Sequence, residues 1–260
     1  MKNIKDQVKL ALGLVLLSVV IYCINYAIFK DAHHIFMFLT EDLAFIPIEV
    51  LFVSLIIERL IARREKKHVM EKLNMVIGLF FTEMGTDFLK ICVDSDPNIE
   101  TIRSNFFIDF KWTKNDYIRT RKVVKEYDHK LDISKIDFSE VRNLIHEKRP
   151  MIIRMLQNQA LLEHDTFTEL LQAVFHLDEE FCVREKMGMN FEEEPDHLAR
   201  DIERVYGFLT FEYLEYMQYL ENEYPYLFYS ALILNPYDQR DYATIKESVT
   251  KLYSEACSQK

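Results

Sequence analysis

Two long apolar stretches open the chain, and amphipathic helical patterns follow them to its end. The first stretch, residues 10–29, is uncharged and has about the ~20 residues that a membrane-spanning helix needs. The second, residues 43–62, begins at Leu43 and ends where charged residues become frequent. The pattern predicts a transmembrane hairpin within residues 1–67, followed by a helical domain over residues 68–260.

Positive charges set the predicted orientation of this hairpin. Three lysines lie before the first stretch, at Lys2, Lys5 and Lys9. A basic block lies at the end of the second: Arg59, Arg63, Arg64, Lys66 and Lys67. Basic segments beside membrane spans are enriched on the cytoplasmic side, where they anchor to lipid headgroups. We therefore expect a multi-pass protein of the cell (inner) membrane with both termini in the cytoplasm.

Polar side chains inside the two stretches are candidate functional residues, because polar groups are costly in lipid. Glu49 lies seven residues after Asp42, on the same helix face. Pro47 predicts a kink beside this acid. Tyr22 and Asn25 of the first stretch are its expected partners. Two interpretations stay open: polar contacts that hold the hairpin together, or a Glu49 that faces a water-filled path.

The remainder of the chain predicts an all-α domain, since apolar residues recur at helical spacing and strand-like alternation is missing from the sequence. The clearest amphipathic helix is Asp165–Arg184, and a long helix is predicted from Pro195 to about Glu223. Shorter helices are predicted over Ile99–Trp112 and Tyr117–Leu131. Thr40 is the predicted N-cap of the second span. The apolar face of the helix predicted over Asp165–Arg184 comprises Phe167, Leu170, Leu171, Val174, Leu177 and Phe181.

Two glycines, Gly78 and Gly85, fall on one stripe of a helix that we expect to continue from the second span past Lys67. Glycine inside a helix costs up to ~1 kcal/mol relative to alanine. The stripe therefore predicts the close approach of another helix. Packing within the protomer and packing around an oligomer axis fit this pattern equally well.

Histidines and carboxylates on two predicted helices form a candidate metal site. Its members are His164, Glu169, His176, Glu180, His197 and Asp201. Facing bundle helices build carboxylate-bridged metal centres from such residues. However, the stripe lies opposite the apolar face of its own helix and contains no Glu-x-x-His pair. A solvated face or subunit contact is the favoured interpretation, and a metal-dependent activity is the remote alternative.

Composition and motifs narrow the function classes. The net charge is -10, which argues against a nucleic-acid partner. The four cysteines stand alone and predict reduced thiols rather than disulfides or a zinc motif. The sequence contains no P-loop, GxGxxG, GxSxG or HExxH motif. We therefore expect neither an enzyme nor a cofactor.

Three segments resemble those of a group of uncharacterised bacterial and archaeal membrane proteins. They read LAFIPIEVLFVSLIIERLIARREKKHVMEKLNMVIGLFF, LLEHDTFTELLQAVFHLDEE and HLARDIERVYGFLTFEYLEYMQYLENEYPYLF. The resemblance covers most of the chain. It implies two spans, a helical cytosolic region and a prokaryotic source, and it implies no activity.

Two functional hypotheses follow from these patterns. The first is an oligomeric, cation-leaning ion pore with Glu49 and Asp42 on its path, gated by the cytosolic helical domain. The second is a membrane-tethered signalling or scaffold module that binds a protein or a small messenger, similar in outline to some defence effectors. The expected partners are the lipid bilayer, further copies of the chain, and a cytosolic protein or small-molecule regulator.

Overall fold

A computed structural model describes residues 4–191 and 194–258, except for the side chains of residues 4, 5, 7, 34, 66–71 and 256–258. The described residues form helices joined by turns and loops, with no strand among them. The chain divides into two compact units, Met1–Lys67 and His68–Lys260. The all-α prediction is confirmed for the described residues.

Helices α1 (Ile4–Phe29) and α2 (Ala32–Phe80) are joined by two residues. Lys30 ends α1 in a left-handed conformation with φ of 52°, and its N–H donates to the Tyr26 carbonyl at 2.9 Å. Asp31 Oδ1 accepts from the His33 N–H at 3.0 Å, as a helix cap does. The predicted cap at Thr40 is wrong, because this residue lies inside α2.

One helix in the described part of the chain, α1, is both long and apolar enough to cross a membrane. Its candidate span is Val8–Phe29, which has a mean hydropathy of 2.3 and contains no buried residue. The second predicted stretch contains too many charged residues to qualify in the same way as a spanning helix. Three charged residues, Glu49, Glu58 and Arg59, lie among the eighteen that start at Leu43. The second span therefore stays a prediction.

The second unit is built from helices of very different lengths. After α2 come a π-helical turn at Phe81–Gly85, α3 (Thr86–Ser95), α4 (Ile99–Arg103), α5 (Lys114–Glu126), α6 (Phe138–Leu156), α7 (Gln159–Leu162), α8 (Asp165–Met187), α9 (Pro195–Glu223), α10 (Pro225–Ile233) and α11 (Tyr242–Ser258). Short 3-10 turns cover Ser104–Phe106 and Ile133–Lys135. Helix α9 packs against α3, α5, α8 and α10, and α8 also packs against α6. These contacts place α8 and α9 at the centre of the unit.

The predicted apolar face of α8 is confirmed, because all six of its residues are at most 1% exposed. Burying one such side chain contributes roughly 1.5–3 kcal/mol. The helix begins after His164, whose Nδ1 accepts from the Phe167 N–H at 3.3 Å. It ends at Gly188, which has a φ of 69° that favours glycine.

The helix predicted over Ile99–Trp112 begins where expected but is too long, because α4 ends at Arg103 and the following 3-10 turn ends at Phe106. Beyond it, Asp109 Oδ1 accepts from the Lys111 N–H at 2.7 Å and fixes a turn. The Trp112 indole closes this turn by donating to the Phe107 carbonyl at 3.1 Å. Local side-chain bonds of this kind compete with helix formation.

The start of α5 is set by local capping. Thr113 and Asp116 form a capping box, so the helix starts at Lys114 rather than at the predicted Tyr117. It ends at Glu126, five residues before the predicted Leu131. Both boundaries of the predicted helix are therefore shifted towards the N-terminus.

The two glycines approach aromatic rings inside the second unit. A Cβ atom added at Gly78 would lie 3.2 Å from Tyr216 Cε2 of α9, which is tighter than an ordinary contact. A Cβ atom at Gly85 would lie 2.8 Å from ring atoms of both Phe80 and Phe81. The close approach of another helix at Gly78 is confirmed, and it occurs within the protomer.

Candidate functional site

The predicted membrane residues do not form a polar cluster within one protomer. Glu49, Asp42 and Asn25 are exposed, and Tyr22 is half-buried. In the described part of the chain, helices α1 and α2 show no extended packing against each other. Among the described residues, no hydrogen bond joins Glu49 to Tyr22 or Asn25. Pro47 lies inside α2, which is helical on both sides of it.

The basic block lies on α2, beyond the second apolar stretch. Arg59, Arg63 and Arg64 are exposed, as an anchor to anionic headgroups requires. The side chains of Lys66 and Lys67 lie outside the described residues. The block's predicted anchoring role stays a prediction.

The six predicted metal ligands do not converge. His164 caps α8, while Glu169 and His176 are exposed on the same helix. His197 Nδ1 lies 3.8 Å from Glu180 Oε1 and 3.5 Å from Asp201 Oδ2. Arg184 Nε already donates to that same Glu180 oxygen at 2.9 Å. Three of the six residues are therefore neighbours, in an ion-paired cluster rather than an open metal site.

A cleft of about 690 Å³ lies beside the π-helical turn, and we call it the π-turn cleft. Its aromatic floor contains the Phe81 and Tyr216 rings, stacked with centroids 5.1 Å apart, and Tyr213. Its walls come from α3, α9, α10 and the segment after α10. π-Helical turns occur frequently at functional sites. The sequence signal that pointed here was the glycine pair, which we interpreted as packing alone.

The electrostatics of the π-turn cleft are acidic. Its described lining contains Asp87, Asp94 and Asp238, with Lys90 as the one basic side chain. Asp238 is already paired with Arg240 at 2.5 Å, whereas Asp87 and Asp94 are exposed. The lining of the cleft therefore combines carboxylates with aromatic side chains. That combination suits small organic cations.

Burial is the main influence on the pKa of the two tyrosine hydroxyls at the cleft floor, Tyr213 and Tyr216. Burial raises the pKa of Tyr216, and a side-chain hydrogen bond with Thr82 offsets part of this increase. Burial raises the pKa of Tyr213 further, with smaller contributions from Tyr237 and Tyr216. Both hydroxyls therefore stay protonated and neutral near pH 7.

Comparison with known proteins gives family matches in both units. The family model for the C-terminal helical domain of uncharacterized protein MJ1433 matches residues 69–233, and that for its N-terminal helical domain matches residues 2–61. Uncharacterized protein MJ1433 of Methanocaldococcus jannaschii is 42% identical over 231 residues, which cover 89% of this chain and 93% of that protein. No solved structure matches the chain.

Proposed function

This chain belongs to the MJ1433 family, and we propose that it is an integral membrane protein that assembles into an oligomeric, cation-leaning ion pore. In this proposal the first unit forms a two-span hairpin with both termini in the cytoplasm. The helical second unit gates the pore. The observation that carries the proposal is Glu49, an exposed acid in an apolar stretch, without a bond to its expected partners.

The exposed apolar surface of the first unit supports a membrane location. The side chains of α1 between Val8 and Phe29 are exposed almost throughout, as are those of α2 between Leu43 and Ile57. In water this apolar surface would stay exposed to solvent. Lipid would bury it, with a favourable free energy of roughly 25 cal/mol per Å². The basic residues Arg59, Arg63 and Arg64 would then lie at the cytoplasmic interface.

The position of Glu49 supports an oligomer. A carboxylate in the hydrocarbon region needs a hydrogen-bonding partner or water. Because α1 and α2 show no extended packing against each other in the described part of the chain, one protomer supplies neither the partner nor a closed water path. Several copies around an axis would supply a shared water-filled path lined by a ring of acids, which favours cations.

Glu49→Gln is expected to lower single-channel cation conductance at least about tenfold in planar-bilayer recordings of the purified protein. A carboxylate about 4 Å from a cation contributes roughly 4 kcal/mol at an effective dielectric constant of ~20. Losing even a third of this energy at the rate-limiting step corresponds to a tenfold change.

The matched control is Glu65→Gln, which removes an exposed acid from the same helix beyond the apolar stretch. It is expected to leave the conductance within about twofold of the original, because charges in the basic region are screened by solvent. A wild-type protein that is monomeric by native mass measurement and does not conduct would rule out the pore.

The second candidate function is a membrane-tethered module that binds a small organic cation in the π-turn cleft. It is favoured by the exposed carboxylates of Asp87 and Asp94 in a cleft that Phe81 and Tyr216 also line. An amine bound there would gain ion-pair and cation–π interactions together. Ligand binding would then be the signal that the membrane-anchored chain reports.

Spermidine is expected to raise the thermal unfolding midpoint of the full chain in mild detergent by roughly 5 °C or more at ~100 times its Kd. Asp87→Asn should weaken this effect, because it removes one carboxylate of the cleft. Glu126→Gln, at an exposed acid outside the cleft, should leave it unchanged. An equal loss in both variants would show that spermidine acts through overall charge.

A further inference from the structure

Helices α6 and α8 pack against each other, and a ladder of side chains that are charged or could bind a metal runs along their contact. Arg142 Nη2 donates to Glu185 Oε2 at 2.8 Å at one end of this ladder. Two turns further along α6, Arg149 donates to Asp178 of α8. Increasing numbers on α6 meet decreasing numbers on α8, so the two helices are antiparallel.

Three potential metal ligands meet along this ladder: His146, Asp178 and Cys182. His146 Nδ1 lies 3.1 Å from Asp178 Oδ1 and 3.8 Å from Cys182 Sγ. All three ligand atoms lie within 4.8 Å of one another. A nucleophilic Cys-His-Asp relay uses the two ring nitrogens for different partners. Here one nitrogen, His146 Nδ1, contacts both groups, so the ring does not bridge them as such a relay requires.

We propose that His146, Asp178 and Cys182 bind a zinc ion whose fourth coordination position is open. Ligand distances of about 2.0–2.1 Å to nitrogen, 2.0–2.2 Å to oxygen and 2.3 Å to sulfur place tetrahedral N and O ligands ~3.3 Å apart, and N and S ligands ~3.6 Å apart. The observed N–O and N–S separations of 3.1 and 3.8 Å are close to these edges, and the O–S separation is at most 4.8 Å. Thiolate, imidazole and carboxylate together form a borderline-soft set that suits zinc.

The surroundings orient the carboxylate for this role. Arg149 bonds Asp178 Oδ2, which leaves Oδ1 to face the histidine and the thiol. The guanidinium itself is held over the Phe175 ring, 4.8 Å from the centroid, and lies 3.9 Å from Glu179. Outer hydrogen bonds of this kind fix metal-binding carboxylates. The +2 ion would balance the Asp178 carboxylate and the Cys182 thiolate, while Arg149 adds one positive charge beside them.

The site is closed on one side and accessible on the other. Asp178 is 1% exposed, whereas the His146 side chain is 43% exposed and Cys182 is partly exposed. A fourth ligand would therefore enter from solvent beside the imidazole. Three protein ligands with an accessible fourth position are typical of zinc sites that hold water or a substrate, in contrast to closed structural sites with four protein ligands.

An ion pair is the competing explanation for the same contacts. A protonated His146 would offset the buried Asp178 together with Arg149, and Cys182 would then be a bystander. The two explanations differ at the sulfur atom. Only the metal site requires a thiolate ligand, so a measurement that reports on metal–sulfur bonding separates them.

The test is a cobalt(II) titration of the full chain, purified in mild detergent and freed of metal by a chelator. We expect one ion per chain, with a thiolate-to-cobalt charge-transfer band and the visible bands of a tetrahedral site. Zinc should displace the cobalt. Cys182→Ser should abolish the charge-transfer band, and Cys182→Ser and His146→Gln should each weaken zinc binding by ~100-fold or more, beyond what is typical for the loss of an outer partner.

Three matched variants locate the ion. Cys23→Ser changes a free thiol elsewhere, His176→Ala changes an exposed histidine of α8, and His197→Ala breaks the Glu180 cluster. All three are expected to keep the band and the zinc affinity. The proposal is overturned if the wild-type protein shows no charge-transfer band, if Cys182→Ser keeps the band, or if His197→Ala removes binding. Far-UV circular dichroism checks that each variant is folded, and His146→Gln decides if Cys182→Ser is not.

Discussion

Replacing Asp96 with Ala is expected to lower the free energy of unfolding of the full chain by about 3–5 kcal/mol. The carboxylate is 3% exposed and accepts two tyrosine hydroxyls, from Tyr127 at 2.6 Å and Tyr206 at 3.0 Å. Hydrogen bonds to a charged group contribute roughly 1.5–3 kcal/mol each. The substitution also leaves a buried donor at Tyr206 without its acceptor.

The Asp96 network connects three parts of the second unit. Asp96 follows α3 and also accepts from the Asn98 N–H at 2.7 Å, so it fixes the turn into α4. Tyr127 follows α5, and Tyr206 lies in α9. Burial, with smaller contributions from the neighbouring Tyr237 and Asp96, raises the pKa of Tyr206 far above its usual range. Its hydroxyl therefore stays protonated near pH 7 and can donate to Asp96.

Thermal unfolding of the full chain in mild detergent, followed by circular dichroism, measures this effect. The expected loss corresponds to a fall in midpoint of roughly 6–20 °C. Asp94→Ala is the matched control, since the same change at an exposed acid two residues earlier should cost less than about 0.5 kcal/mol. Equal effects of the two substitutions would contradict a stabilising network at Asp96. Tyr206→Phe should show a smaller loss, because it removes one of the two bonds.

Asp96 also shows how far local pattern carries a prediction. Its bond from the Asn98 N–H is local, since the two residues lie two positions apart in the chain. The tyrosines that share the carboxylate come from positions 31 and 110 residues away. Sequence spacing carries no information on such contacts. They depend on how α5 and α9 pack against the end of α3.

Local signals also explain which of the other helix boundaries in the second unit are predicted correctly and which are not. The boundaries of α9 were predicted because Pro195 and Pro225 mark them and apolar residues recur between. The helix predicted through Trp112 failed because a turn bond at Asp109 outweighs a weak periodic pattern. Local signals decided the boundaries in both cases. The stronger local signal was the capping or turn residue.

The candidate sites depend still more on tertiary packing. The predicted stripe on α8 was chosen by the spacing of its polar residues, and only part of it, Glu180, comes together with His197 and Asp201. The proposed zinc ligands lie closer together. Asp178 and Cys182 are four residues apart on α8, whereas the third ligand, His146, lies on α6. No spacing rule joins that histidine to the other two. Only the antiparallel register of α6 and α8 does so.

The second large effect concerns Glu212, a carboxyl group of α9 that is 1% exposed. Burial raises its pKa from 4.5 to about 7, the nearby Thr166 hydroxyl lowers it, and the Glu215 charge raises it slightly. Among the described residues, neither carboxyl oxygen has a hydrogen bond of ordinary geometry, so the Thr166 contact is a weak one. The ionised form is therefore costly in the folded protein.

The sign of the pH dependence follows from this increase in pKa. Below pH 4.5 the group is protonated in both the folded and unfolded states, and it imposes no penalty. Between pH 4.5 and about 7 the folded state binds more protons, so the free energy of unfolding falls as the pH rises. The loss amounts to about 3 kcal/mol and stays constant above pH 7.

Glu212→Gln is therefore expected to raise the thermal midpoint of the full chain at pH 8 by roughly 6–12 °C, and by much less at pH 4.5. The amide has nearly the same shape and cannot ionise, so the substitution isolates the charge. Glu223→Gln, at an exposed acid near the end of α9, should change the midpoint little at either pH. A gain that is the same at pH 4.5 and pH 8 would show that amide packing, rather than removal of a buried charge, stabilises the variant. A gain confined to the higher pH would show that ionisation of the buried Glu212 destabilises the folded chain near neutral pH.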